Sequence, residues 1–170
     1  SVLAKGVRKI SSRRGGNLDT LNLISAKVSE SSKGFIQIEE VKTLNSFRDI
    51  KKSYELSCLA YYLVELVYRN IEEGDSVDKI FDKLESCLKA LSNSEVSPGL
   101  IVNHFELGFL KILGYEFQPN RKNVREKIFS ILSKLQSGKF PKDINSSEEK
   151  EVDRVIKSFL NNHLDSKIKS

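Results

Sequence analysis

The spacing of apolar residues changes once along this chain, near residue 47. Upstream, apolar and polar positions alternate, which is the period of a strand. "SVLAKGVRK" is a short strand-type run, and "TLNLISAKVSES" sets Ile24, Ala26 and Val28 on one face with polar residues between them. "SSKG" marks a turn in which Gly34 supplies the φ > 0 conformation a hairpin needs, and "FIQIEEVKTL" forms a third run. Downstream, apolar residues recur every three or four positions, the period of a helix face. Residues 54–73 carry Leu56, Leu59, Leu63, Leu66 and Val67 in one stripe. "GDSV" interrupts it, with Asp75 or Ser76 placed to cap a helix through Ile80, Phe81, Leu84, Leu88 and Leu91.

The third helix, in "VSPGLIVNHFELGFLKILGY", has Ser97 as its cap, Pro98 at its first position and Gly114 as its stop. Its apolar residues run round nearly the whole circumference, so it belongs at the centre of a bundle. A fourth helix shows Val124, Ile128, Ile131, Leu132 and Leu135 and ends at Gly138. Ser146 and Glu149 read as a capping box opening the last helix, through Val152, Val155, Ile156, Phe159, Leu160 and Leu164. The pattern predicts an α+β chain, with a small β domain over 1–50 and an all-α bundle over 51–170. Three strands leave an open edge, and Ser1 falls inside a strand-type run, so further strands are expected upstream of it.

Composition narrows the class. With 39% hydrophobic and 30% charged residues the chain can bury a core. No apolar run approaches the roughly 20 residues that span a bilayer, and no signal peptide is visible, so a cytoplasmic protein without membrane contact is expected. Cys58 and Cys87 both sit in helical patterns without C-x-x-C spacing, and His104 and His163 are distant. Reduced, buried thiols and no metal or other cofactor are the expectation.

Charge is divided unevenly. Residues 1–53 hold eleven Lys and Arg against five Asp and Glu, a net of +6, while residues 54–170 hold seventeen against eighteen, a net of −1. "GVRKISSRRGGN" concentrates the excess: Arg8, Lys9, Arg13 and Arg14, with Lys5 just before them. Such a cluster repels itself unless a polyanion lies against it. Arginine donates to phosphate as a planar fork, lysine as a mobile point charge, and Gly15–Gly16 permit close approach. A solvated basic arm beside a helical protein-interaction or assembly module is the competing reading.

Catalytic patterns are missing. The sequence has no phosphate-binding glycine loop, nucleophile elbow or H-E-x-x-H helix. Glu39 and Glu40 are neighbours on a strand and point to opposite faces. Glu72, Glu73 and Asp75 crowd a helix end, and His104, beside Phe105 on an apolar helix, reads as a structural histidine. A non-enzymatic binding protein is expected.

Several stretches together carry a family resemblance. "VLAKGVRKISSRRGGNLDTLNLI" resembles the strand, basic loop and strand of the RecO recombination mediators. "YYLVELVYRNIEEGDS", "IFDKLESCLKAL", "VNHFELGFLKILGY" and "FLNNHLDSKIKS" are similar to that family's later blocks, in the same order. The resemblance implies an N-terminal OB-fold, here partial because its two opening strands would precede Ser1, followed by a helical domain. It implies a bacterial DNA repair and recombination mediator that binds single- and double-stranded DNA and anneals complementary strands. It also implies binding of RecR and of the C-terminal tail of single-stranded DNA-binding protein, and loading of the RecA recombinase. By position the DNA role falls on Lys5, Arg8, Lys9, Arg13 and Arg14. The role toward the acidic, Phe-ending tail falls around the "FEL" helix on Lys83, His104, Phe105 and Lys111. Three departures stand out. "EFQPNRKNVREK" lacks the C-x-x-C pairs of a zinc ribbon, Thr20–Leu21 replaces a usual Pro-Phe, and Asn103–His104 stands where other members often carry Arg.

Overall fold

The structure is a computed structural model that describes residues 2–3, 16–30, 36–71, 77–119 and 124–164. It is α+β and divides into two units, Ser1–Asp49 and Ile50–Ser170. The nominated cations Lys5, Arg8, Lys9, Arg13 and Arg14, the Gly34 turn and the Asp75 or Ser76 cap lie outside the described residues.

In the first unit, β1 (Val2–Leu3), β2 (Leu23–Glu30) and β3 (Ile36–Asn45) form one sheet in the order β1-β3-β2. β1 runs parallel to β3, and β2 runs antiparallel to it. The register explains an irregularity in "IQIEEV". Val28 faces Ile38 and Lys27 faces Glu40, so Glu39 is an extra residue on β3. A second slip leaves Leu44 without a partner across. Each bulge shifts the alternation by one, which brings Ile36, Ile38, Val41 and Thr43 onto the face of Ile24, Ala26 and Val28. The simple alternation expected at Glu39–Glu40 is therefore interrupted at that pair. No side chain of β2 or β3 is buried, and Val28 keeps 51% of its surface exposed.

α1 (Arg48–Lys52) leads into the helical unit, which contains α2 (Tyr54–Asn70), α3 (Val77–Asn93), α4 (Pro98–Ile112), α5 (Glu126–Gln136) and α6 (Ser146–His163). α4 packs against α2, α3, α5 and α6. Leu100, Ile101, Val102, Phe105, Leu107, Phe109 and Leu110 are all buried, which fulfils the expectation of a central helix. Gly114, at φ +88°, ends α4, and its successor Tyr115 donates its N–H back to Leu110 O at 2.9 Å.

Two helix starts differ from the sequence reading. Ser97 does occupy the cap of α4, but its hydroxyl makes no bond to the helix and instead donates to Glu149 Oε1 on α6. With Glu149 so engaged, the capping box of α6 falls one residue earlier. Asn145 Oδ1 accepts from the Ser147 and Glu148 N–H groups at 3.0 Å, and the Glu148 carboxylate accepts from Asn145 N at 3.1 Å. Asn caps as well as Ser, and the Asn145–Glu148 spacing meets the same geometric demand. Cys58 also differs: it is exposed on α2, whereas Cys87 is buried, its thiol pushed up to about 12 by burial.

Glu106 is a buried carboxyl that the periodicity gave no reason to expect. It has no exposed surface, and Tyr62 of α2 donates to its Oε1 at 2.5 Å. Burial pushes its pKa up to about 7, although the Tyr62 bond and the charge of Lys157 pull the other way. An acid whose folded pKa exceeds its unfolded one adds stability that is complete below the unfolded value and is lost as pH rises through the folded value. Glu106→Gln keeps the acceptor and removes the titration. Subtracting its stability from that of the parent, by urea unfolding between pH 5 and 8, is expected to give a curve falling with pH by up to roughly 3 kcal/mol. A flat difference would mean that Glu106 titrates as an ordinary carboxylate.

Candidate functional site

Three helices and the segment after α4 enclose a groove of about 610 Å³. Its polar centre is a pair. Lys83 of α3 passes over Gly108 of α4, so closely that a Cβ on that glycine would stand 2.8 Å from its Nζ. The ammonium then meets His104 Nε2 at 2.6 Å. The ring is held from its other side, where Nδ1 lies 2.7 Å from Leu135 O on α5 and Phe140 packs edge-on at 5.4 Å between centroids. A carbonyl only accepts, so Nδ1 carries the proton and Nε2 offers its lone pair to Lys83. Burial holds the His104 pKa below its ordinary value and the Lys83 charge adds to this, while the Leu135 carbonyl opposes. Burial also lowers the pKa of Lys83.

The remaining walls mix apolar and polar groups. Leu107, Tyr115 and Phe117 supply apolar surface, and Lys111 adds a second cation from α4. Gln136 Nε2 donates to Phe117 O at 2.9 Å, which fastens the segment after α4 to the end of α5. Phe117 is anchored behind by the edge-on ring of Phe159 at 5.0 Å. Two lysines outnumber the one carboxylate of the lining, Glu116, and with the apolar walls they suit a ligand that is anionic and apolar at once. Among the described residues, no three His, Cys, Asp or Glu side chains gather as metal ligands would. No helix of the described residues is long and apolar enough to cross a membrane.

Of the four residues nominated for a partner peptide, Lys83, His104 and Lys111 line this groove. Phe105 does not. It points into the core, fully buried and stacked on Phe109 at 5.8 Å, so it presents no surface to a peptide. Adjacent helix residues stand about 100° apart, which puts His104 at the groove while Phe105 fills the centre. The structure also adds Gly108, Phe117, Leu135 and Gln136. Only Gly108 left a signal in the sequence: glycine inside a helix costs about 1 kcal/mol against alanine and calls for a packing reason.

The nominated DNA-binding cations lie outside the described residues, but the downstream end of their stretch is tied to the sheet. Asn17 Oδ1 accepts from the hydroxyl of Thr43 on β3 at 2.7 Å and from its N–H at 3.3 Å. Asn22 Nδ2 donates to the carbonyls of Gly16 and Asn17 at 3.2 and 3.0 Å.

A small β unit followed in the chain by a helical bundle wound on one apolar helix, with a cation-bearing groove on its flank, defines the class of the protein as α+β. The family described as Recombination protein O C terminal matches residues 51–129. The DNA repair protein RecO of Dehalococcoides mccartyi is 33% identical over 113 residues, which cover 66% of this chain and 44% of that protein. That of Exiguobacterium sp. is 28% identical over 114 residues, 67% of this chain and 45% of the relative. That of Proteus mirabilis is 36% identical over 80 residues, 45% and 32% of the two. Over residues 51–129 the chain belongs to the RecO C-terminal family, and it is similar to RecO proteins over 66% of its length. It spans less than half the length of these relatives.

Replacing Lys83 by Gln removes the charge and keeps the bulk. The His104 pKa is expected to rise toward that of a free histidine, because the neighbouring cation no longer opposes its protonation. An NMR titration of the imidazole resonances reads this directly. No movement would mean that the His104 ring does not feel the Lys83 charge.

Proposed function

We propose that this chain acts in DNA repair and recombination as a mediator, holding DNA through its first unit and a protein tail through its helical groove. The observation that carries this reading is the groove, where Lys83 and Lys111 stand beside Leu107, Tyr115 and Phe117. An acidic peptide ending in an aromatic residue has the matching chemistry. Its carboxylates meet the two ammonium groups and its ring meets the apolar wall. The C-terminal tail of single-stranded DNA-binding protein is the proposed occupant; that the relatives are named DNA repair proteins supports the reading.

The DNA role rests on the +6 net charge of residues 1–53 and is assigned to Lys5, Arg8, Lys9, Arg13 and Arg14. The first unit is proposed to be part of an OB-fold, in a domain over 1–50 followed by a helical domain over 51–170. Annealing needs no reaction centre. It needs relief of repulsion between two polyanions, which a row of cations supplies for single- and double-stranded DNA alike. RecR and the RecA recombinase belong to the same proposal as downstream partners, in a bacterial cytoplasm.

Fluorescence anisotropy with labelled single-stranded DNA across a salt series tests the first half. Five engaged cations are expected to give a slope of log K against log salt of roughly −3.5 to −4.5. Changing Arg8, Lys9, Arg13 and Arg14 to Glu is expected to abolish that slope for every DNA sequence, with circular dichroism unchanged. Equal, weak binding by both folded proteins would instead identify an interaction module with a solvated basic arm. For the second half, Lys83→Gln with Lys111→Gln is expected to weaken tail-peptide binding at least tenfold, about 1.4 kcal/mol, and to leave DNA binding intact. Unchanged peptide affinity would remove the groove from the mechanism.

A further inference from the structure

We propose that Lys83 is an acylation site: the groove presents its amine, with His104 as an adjacent base, to acyl phosphates. The arrangement has the three parts of an activated nucleophile. Lys83 Nζ is within hydrogen-bond reach of His104 Nε2 at 2.6 Å, and the ring is oriented by Leu135 O at 2.7 Å from Nδ1. Gly108 lies beneath this arrangement, where an added Cβ would stand 2.8 Å from Lys83 Nζ and push the lysine aside. A lysine serving only as a solvated charge has no need of this placement. The groove is wide enough to admit a small anion, and Lys111 on its wall supplies a cation for the phosphate.

The step balances without a further reagent. The unprotonated fraction of Lys83 attacks the acyl carbon, forming the N–C bond. The proton released from that nitrogen passes to His104 Nε2, the C–O bond to phosphate breaks, and phosphate leaves beside Lys111. His104 then returns its proton to water. The product is a neutral amide in place of an ammonium group, so acylation removes one of the two groove cations. The consequence for tail binding rests on the function proposed above; the acylation itself does not.

The test uses the full chain and acetyl phosphate, with acetylation at each lysine followed over time by peptide mass spectrometry. Lys83 is expected to react at least tenfold faster than the exposed Lys79 and Lys134 in the same molecule. His104→Gln is expected to bring Lys83 down to the rate of those two lysines and leave theirs unchanged. Gly108→Ala, which displaces the lysine and keeps the imidazole, is expected to do the same. If Lys83 reacts no faster than Lys79 and Lys134, or if His104→Gln leaves its rate unchanged while circular dichroism shows a folded chain, the proposal is overturned. A chain acetylated at Lys83 is then titrated with the tail peptide. A fivefold loss joins the modification to the groove, whereas full binding would sink the peptide reading and leave the acylation site standing.

Discussion

The helical unit depends on one constraint: α4 is surrounded, so the polar groups it carries pair inside the protein, reach an edge, or stay buried without a hydrogen bond, as the Asn103 amide does. Apolar burial around its circumference supplies the cohesion, at about 25 cal/mol for each square ångström removed from water. The same enclosure decides the chemistry of its polar residues. Glu106 is held against Tyr62 and is kept closer to its neutral form than a surface carboxyl would be. His104, two positions earlier, reaches the flank and joins Lys83. Phe105 lies between them in sequence and fills the centre.

The groove follows from how neighbouring helices meet that helix. Gly108 lowers the surface of α4 at one point, and the Lys83 stem lies in the depression. Without that close approach the amine would extend into water as an ordinary surface cation. With it, a cation is held beside a neutral imidazole and next to apolar walls, in a unit whose net charge is near zero. Net charge describes what a domain attracts from a distance, and local geometry decides what it grips. For the first unit the excess charge gathers in one segment, whose downstream end is tied to β3 through Asn17 and Thr43.

Much of the fold was legible in the sequence. The change of period near residue 47, the central position of α4, its stop at Gly114 and the charge division all follow from residue spacing and type. Errors gathered where one residue's role depends on a distant one. Ser97 gave its hydroxyl to Glu149, which moved the cap of α6 to Asn145, and nothing within either helix announces that exchange. The β3 bulge is partly visible in "IQIEEV", where the alternation slips, but its placement needed the partner strand.

The candidate site divides in the same way. The sequence by itself determined the class of element, the central helix and the concentration of positive charge near the start, because these depend on periodicity and composition. The family resemblance nominated Lys83, His104 and Lys111, and it also nominated Phe105, since neighbours on a helix are hard to separate until the packing direction is known. Only the tertiary structure decided that Lys83 crosses Gly108, that Leu135 fixes the proton on His104 Nδ1, and that Phe117 and Gln136 form the far wall. Those contacts join residues as many as 31 positions apart, as His104 and Leu135 are. Period and propensity act within one element, whereas such contacts are set by how several elements pack on one another.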